Sequence, residues 1–243
     1  MAAKGIDVST FQGEIDWQAV RRSGVSFAMI KATQGRAVSS DAYLFTDSRF
    51  VRNITQASQA GIECGVYHYL TARTVSEAVK EAEYFTRTIL PYKPKIRLWA
   101  AVDVEEDKYL PTNDRVLLTS IVKTFVNYVK TKGFEPMVYT NPSYLKYRLN
   151  GIGGIPLWLA LWRDANNVPQ SYPDMKLWQY GKGRVGGITG DVDLNLGFYA
   201  DDAVPDYAQL VCERCGLESQ TREYIDGYRY ADDLWRKLWL AME

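Results

Sequence analysis

Three times the chain repeats one pattern: an amphipathic helical stretch, a glycine able to end it in the left-handed conformation, then an apolar strand. Gly24 stands before Val25-Ser26-Phe27-Ala28-Met29-Ile30, Gly61 before Ile62-Glu63-Cys64-Gly65-Val66-Tyr67-His68-Tyr69, and Gly133 before Phe134-Glu135-Pro136-Met137-Val138-Tyr139. Helices between successive strands are what parallel pairing requires, so the pattern predicts βα units in either an open doubly wound sheet or a closed barrel. Gly5-Ile6-Asp7-Val8-Ser9, after the first strand, carries neither glycine-rich phosphate loop, which disfavours a nucleotide-binding sheet and favours the barrel. Past Pro142 the strands crowd together, at Ile155–Trp162, Met175–Tyr180 and Asp191–Asn195. Such spacing leaves no room for a full helix in each crossover. The expected fold class is therefore α/β, an irregular, incomplete TIM-like (β/α) barrel with some antiparallel strands.

Two helices carry clear punctuation. Thr74-Val75-Ser76-Glu77 has capping-box spacing ahead of an apolar face of Ala78, Ala82, Phe85 and Ile89, with Pro91 as the stop. A second helix starts near Thr112 or Asn113 and buries Leu117, Ile121, Phe125 and Tyr128. A composition shift near residue 200 divides the chain into a barrel over 1–200 and a small helical appendage over 201–243. Asp201–Pro205 is the linker, and Leu234, Leu238 and Met242 lie on one face of the last helix.

Lys and Arg total 29 and so do Asp and Glu, with no basic stripe to suit nucleic acid or a membrane surface. No apolar run is long enough to span a bilayer, and the first residues lead straight into a strand without the look of a secretory signal. Three cysteines make no disulfide framework, which fits synthesis in a reducing compartment. Cys212 and Cys215 have zinc-knuckle spacing but no second pair. Asp191, Asp193 and Asn195 have calcium-loop spacing, but Leu196 stands where the sharp turn wants glycine. No metal or cofactor is expected.

The chemistry concentrates in Leu98-Trp99-Ala100-Ala101-Val102-Asp103-Val104-Glu105-Glu106-Asp107, a buried-type strand that ends in acids. On a strand Asp103 and Glu105 share one face, roughly 6 to 7 Å apart at Cα. Paired acids at the carboxyl edge of a parallel strand suit glycosidic bond cleavage; a solvated acidic turn is the bland alternative, and Glu106 and Asp107 fit it. Asp7 follows the first strand and Asp193 lies near the last. In a closed barrel those strands are neighbours, so both acids reach the central pair across the mouth. Like charges and partial burial raise carboxyl pKa values. Lifting a Glu by two units costs about 2.7 kcal/mol and makes it a proton donor near neutral pH. His68 is expected as a hydrogen-bonded barrel residue, not a base.

Seven motifs, in order, resemble those of the glycoside hydrolase family 25 lysozymes: Gly5–Ser9, Gly65–Tyr69, Asp103-Val104-Glu105, Val138–Asn141, Leu157–Ala160, Leu177–Tyr180 and Gly190–Asn195. The resemblance spans about residues 4 to 200. It implies an N-acetylmuramidase acting on peptidoglycan glycan strands at the β-1,4 bond between N-acetylmuramic acid and N-acetylglucosamine. It also implies Glu105 as general acid, Asp103 as its partner in a substrate-assisted or direct route, and Asp7 and Asp193 as substrate-orienting acids. Tyr67, Tyr139 and Trp158 would line the sugar groove, joined by Tyr69 and Trp178, with Trp162 and Tyr180 as further candidates. The phage or prophage endolysin type, made in the cytoplasm and released to the wall through a holin, is the implied setting. Two alternatives stand beside it: a catalytically silent wall-binding module, and a chitinase-like hydrolase, whose acidic strand motif would need Asp where Ala101 stands. The C-terminal helices lie outside the resemblance and would serve wall binding, self-association or capping of the barrel.

Overall fold

A computed structural model describes residues 2–35, 44–105, 108–169, 171–199 and 207–226, with 234, 237–238 and 241–242. The expectations for Glu106, Asp107 and the linker Asp201–Pro205 fall outside these residues. Two compact units emerge, 2–198 and 199–243.

The larger unit contains β1 (Ala3–Val8), α1 (Trp17–Arg22), β2 (Phe27–Gln34), β3 (Phe45–Thr46), α2 (Phe50–Gln59), β4 (Glu63–Tyr69), α3 (Val75–Ile89), β5 (Ile96–Asp103), α4 (Arg115–Thr131), β6 (Pro136–Thr140), α5 (Pro142–Tyr147), β7 (Leu157–Ala160), β8 (Met175–Gly183) and β9 (Val192–Gly197). Gly24, Gly61 and Gly133, the three glycines of the repeated pattern, all have positive φ, at 89°, 76° and 74°. Each turns the chain from a helix into the next strand. The run β1-β9-β8-β7-β6-β5-β4-β2 closes because β1 also pairs with β2, while the two-residue β3 hangs on β2. All ring pairings are parallel except the two made by β9, which is antiparallel to both β8 and β1. The barrel is incomplete in its helical jacket: among the described residues no helix separates β7 from β8 or β8 from β9. An antiparallel neighbour needs no crossover, so β9 closes the ring without one.

Side chains alternate along each strand. One set packs outward, where Ile6, Ile30, Val66, Val102 and Val138 meet Phe50, Phe85, Ile121 and Phe125 of the helices in a single buried cluster. The other set fills the barrel. A Cβ on Gly5 would lie 2.2 Å from the Phe27 ring, and one on Gly65 would lie 2.3 Å from Met29 Sδ. Glycine on β1 and β4 thus makes room for large residues on β2, which plug the floor.

Thr74 caps α3 through its hydroxyl, which accepts the Glu77 amide at 3.1 Å, and past Ile89 the helix tightens into a 3-10 segment, Leu90–Lys95, instead of stopping at Pro91. The cap of α4 is Asp114, and its buried face is Leu118, Ile121, Val122, Phe125 and Val129. Leu117 and Tyr128 flank that face, because the i, i+3, i+4, i+7 series runs from Leu118. His68 is wholly buried. Its Nδ1 lies 2.7 Å from Thr33 Oγ1 and its Nε2 2.7 Å from Glu81 Oε2, joining β4, β2 and α3.

In the smaller unit, α6 (Tyr207–Cys215) ends at Gly216, φ 64°, and is followed by α7 (Ser219–Asp226). Val211 is buried there against Cys212, Leu217, Ile225 and Met242.

Candidate active site

At the carboxyl end of the parallel strands a cavity of about 220 Å³ opens, lined by Asp7, Lys31, Tyr67, Tyr69, Asp103, Glu105, Tyr139, Trp158, Gln179 and Asp193, with Ser9, Phe11 and Gln12 from the turn after β1. The four acids foreseen from the sequence do meet. Asp103 is the last residue of β5 and is buried; Glu105 lies just past the strand and is exposed. Asp193 sits at the start of β9, not at its end, and reaches the same rim because β9 runs the opposite way.

Asp7 is the most deeply held of the outer acids. Its Oδ2 accepts Nε2 of Gln179 at 3.0 Å and Nδ2 of Asn195 at 2.8 Å. Burial, and next the charge of Asp193, push its carboxyl up to about 7 against the downward pull of those two hydrogen bonds. Burial also raises Asp193, with Lys182 opposing. Lys31 brings a positive charge among the acids. Its Nζ donates to Gln34 Oε1 at 2.7 Å and stands 5.0 Å over the Tyr69 ring. Burial lowers its pKa, and the charges of Asp103, Asp47 and Glu105 oppose that fall. The hydroxyls of Tyr67 and Tyr139 are pushed upward by burial first and by the surrounding acids second, so both remain protonated donors.

The aromatic wall is layered. Trp158 is 2% exposed, with Tyr139 edge-on at 4.5 Å and Tyr67 edge-on at 5.8 Å. It braces the wall from behind more than it offers a face. Trp178 is not brought to the cavity: it is fully buried, and its indole donates to Leu161 O at 2.8 Å. Period two accounts for this, since Gln179 points into the barrel and its neighbours Trp178 and Tyr180 point out. Trp162 is 55% exposed and donates to Gln179 Oε1 at 3.0 Å. Sequence reasoning passed over Lys31, Gln179, Asn195 and Phe11. Phe11 is 87% exposed on a 3-10 turn fixed by Ser9, whose side chain accepts the Phe11 amide.

Paired acids at the carboxyl mouth of a β/α barrel, beside an aromatic wall, are an arrangement suited to the glycosidase class of barrel proteins. The chain belongs to glycosyl hydrolases family 25, which it matches over residues 6–188. It is 34% identical over 206 residues to Lysozyme M1 of Streptomyces globisporus, covering 79% of this chain and 66% of that protein. It is likewise 34% identical over 195 residues to the autolytic lysozyme of Clostridium acetobutylicum, covering 79% of this chain and 55% of that protein. The chain thus spans less than two thirds of the length of these curated relatives. Among solved structures, the bacterial lysozyme from Streptomyces coelicolor matches with a TM-score of 0.68 at 28% identity, over 90% of this chain and 99% of that one.

Proposed function

We propose that this chain is a peptidoglycan hydrolase, an N-acetylmuramidase that cuts the β-1,4 bond between N-acetylmuramic acid and N-acetylglucosamine in the bacterial wall. The observation that carries the reading is the convergence of Asp7, Asp103, Glu105 and Asp193 on one cavity. Family membership and the lysozyme names of its relatives support it. We assign catalysis to residues 1–200 as part of this proposal.

Glu105, exposed at the mouth, protonates the departing glycosidic oxygen. Asp103 beneath it faces the positive charge that builds on the sugar, either directly or by steering the substrate's acetamido oxygen onto the anomeric carbon. Asp7 and Asp193 orient the sugar from the opposite wall, and Tyr67, Tyr69, Tyr139 and Phe11 offer ring edges and hydroxyls to it. The complete acid set opposes a silent wall-binding module. Ala101, buried in the strand that carries Asp103, opposes a chitinase-like site, which would want an acid there.

Mass spectrometry of wall digests tests the proposal: new reducing ends on N-acetylmuramic acid are expected. Reducing ends on N-acetylglucosamine, chitin cleavage in preference to wall cleavage, or wall binding without turnover would overturn it.

A further inference from the structure

A carboxyl group has two oxygens, and in Asp7 one of them is committed inside the protein. Oδ2 takes both the Gln179 and the Asn195 amide N–H, at 3.0 and 2.8 Å. Neither amide can turn over. Asn195 Oδ1 accepts the Trp158 indole at 2.8 Å, and Gln179 Oε1 accepts the Trp162 indole at 3.0 Å and the Tyr139 hydroxyl at 3.2 Å. An indole N–H can only donate, so each amide must turn its oxygen to the ring and its NH2 to Asp7. Both acceptor directions of Oδ2 are then filled, and a proton on Asp7 has to sit on Oδ1.

We propose that Gln179 and Asn195 are positioning residues: locked by Trp158, Trp162 and Tyr139, they fix the Asp7 proton on Oδ1, making Asp7 a directional hydrogen-bond donor to an acceptor oxygen of the bound glycan. The inference rests on the reading of this cavity as the glycan site. A buried carboxyl beside Asp193 holds its proton close to neutrality, which keeps the donor available at working pH. Trp162 extends the same chain of bonds to the surface, where it is 55% exposed.

The test is a carboxyl 13C NMR titration of Asp7 in the full chain, assigned by its loss in Asp7→Asn. It is run beside kcat and KM across pH on solubilised peptidoglycan, for wild type, Gln179→Met, Asn195→Leu and Trp162→Phe. Removing one donor raises the Asp7 midpoint by about one pH unit. The alkaline limb of kcat/KM moves up with it, and the plateau falls about tenfold as the proton gains access to Oδ2. Trp162→Phe shifts both in the same direction by less, and being at the surface it keeps the test decisive if the interior variants fail to fold. An Asp7 midpoint unmoved in every folded variant overturns the proposal, as does a midpoint that moves while the pH limb stays. Wild-type inactivity on walls would instead sink the muramidase reading, leaving the titration intact because it is read on the protein alone.

Discussion

Asp7 and Asp193 are direct register partners on the antiparallel β1–β9 pair, so the first and last strands of the barrel bring two carboxyl groups side by side at its mouth. That neighbourhood, added to burial, holds the Asp7 proton up to about pH 7, while an Asp in the unfolded chain titrates near 3.8. Between those values the folded state binds more protons than the unfolded one. Stability is therefore full below the unfolded value, declines as pH rises toward 7 and levels off beyond, by about 4 kcal/mol at most. Asp7→Asn removes this dependence. Its melting temperature is expected to exceed wild type at pH 8 and to converge with it near pH 4. A gap between the two proteins that stays constant over that window would refute the near-neutral carboxyl.

Glu105→Gln keeps the size and polarity of the exposed acid but takes away its transferable proton. Wall clearing, followed by turbidity, is expected to fall by about 10²- to 10⁴-fold with the melting curve unchanged. Substantial clearing by the folded variant would remove Glu105 from its assigned role.

Gly5→Ala drives a methyl group into the Phe27 ring on the barrel floor. Overpacking of this kind costs about 1–3 kcal/mol, to be read as a lower urea midpoint. Shrinking the obstacle in the double variant Gly5→Ala, Phe27→Leu recovers part of it. Equal loss in the single and double variants would show that the floor is not what constrains residue 5.

Phe11 and Trp178 separate binding from packing. Phe11→Ala removes an 87% exposed ring from the rim and is expected to raise KM several-fold without lowering stability. Trp178→Phe loses the part-buried bond to Leu161 O and should lower stability by about 1 kcal/mol while KM holds. The reverse pattern would put Trp178 back in the groove.

Much of this was legible in the residues themselves. The three helix-glycine-strand repeats fix parallel neighbours, and the crowded strands after Pro142 foretell the missing jacket helices. The acids Asp7, Asp103, Glu105 and Asp193 could be placed because each falls at a strand terminus. What escaped was parity. Trp178 and Gln179 are adjacent, and only the pairing with β7 and β9 decides which one enters the barrel. Alternation from Gln179 to Leu177 offered a weak signal, masked by apolar residues on both faces of a strand buried on both sides. Asn195, two residues from Asp193 on β9, could have been found by the same-face rule already applied to Asp103 and Glu105. Lys31 lies within β2, whose apolar neighbours give no hint of acids waiting across the ring. Leu117 flanks the buried face of α4 while Leu118 lies on it, because helix phase is set by what the helix packs on.

Phe27 and Met29, both wholly buried, pack tight against Gly5 and Gly65 inside the barrel. A side chain at either glycine would have to displace that floor, so the depth of the cavity is set by two positions that carry no side chain of their own.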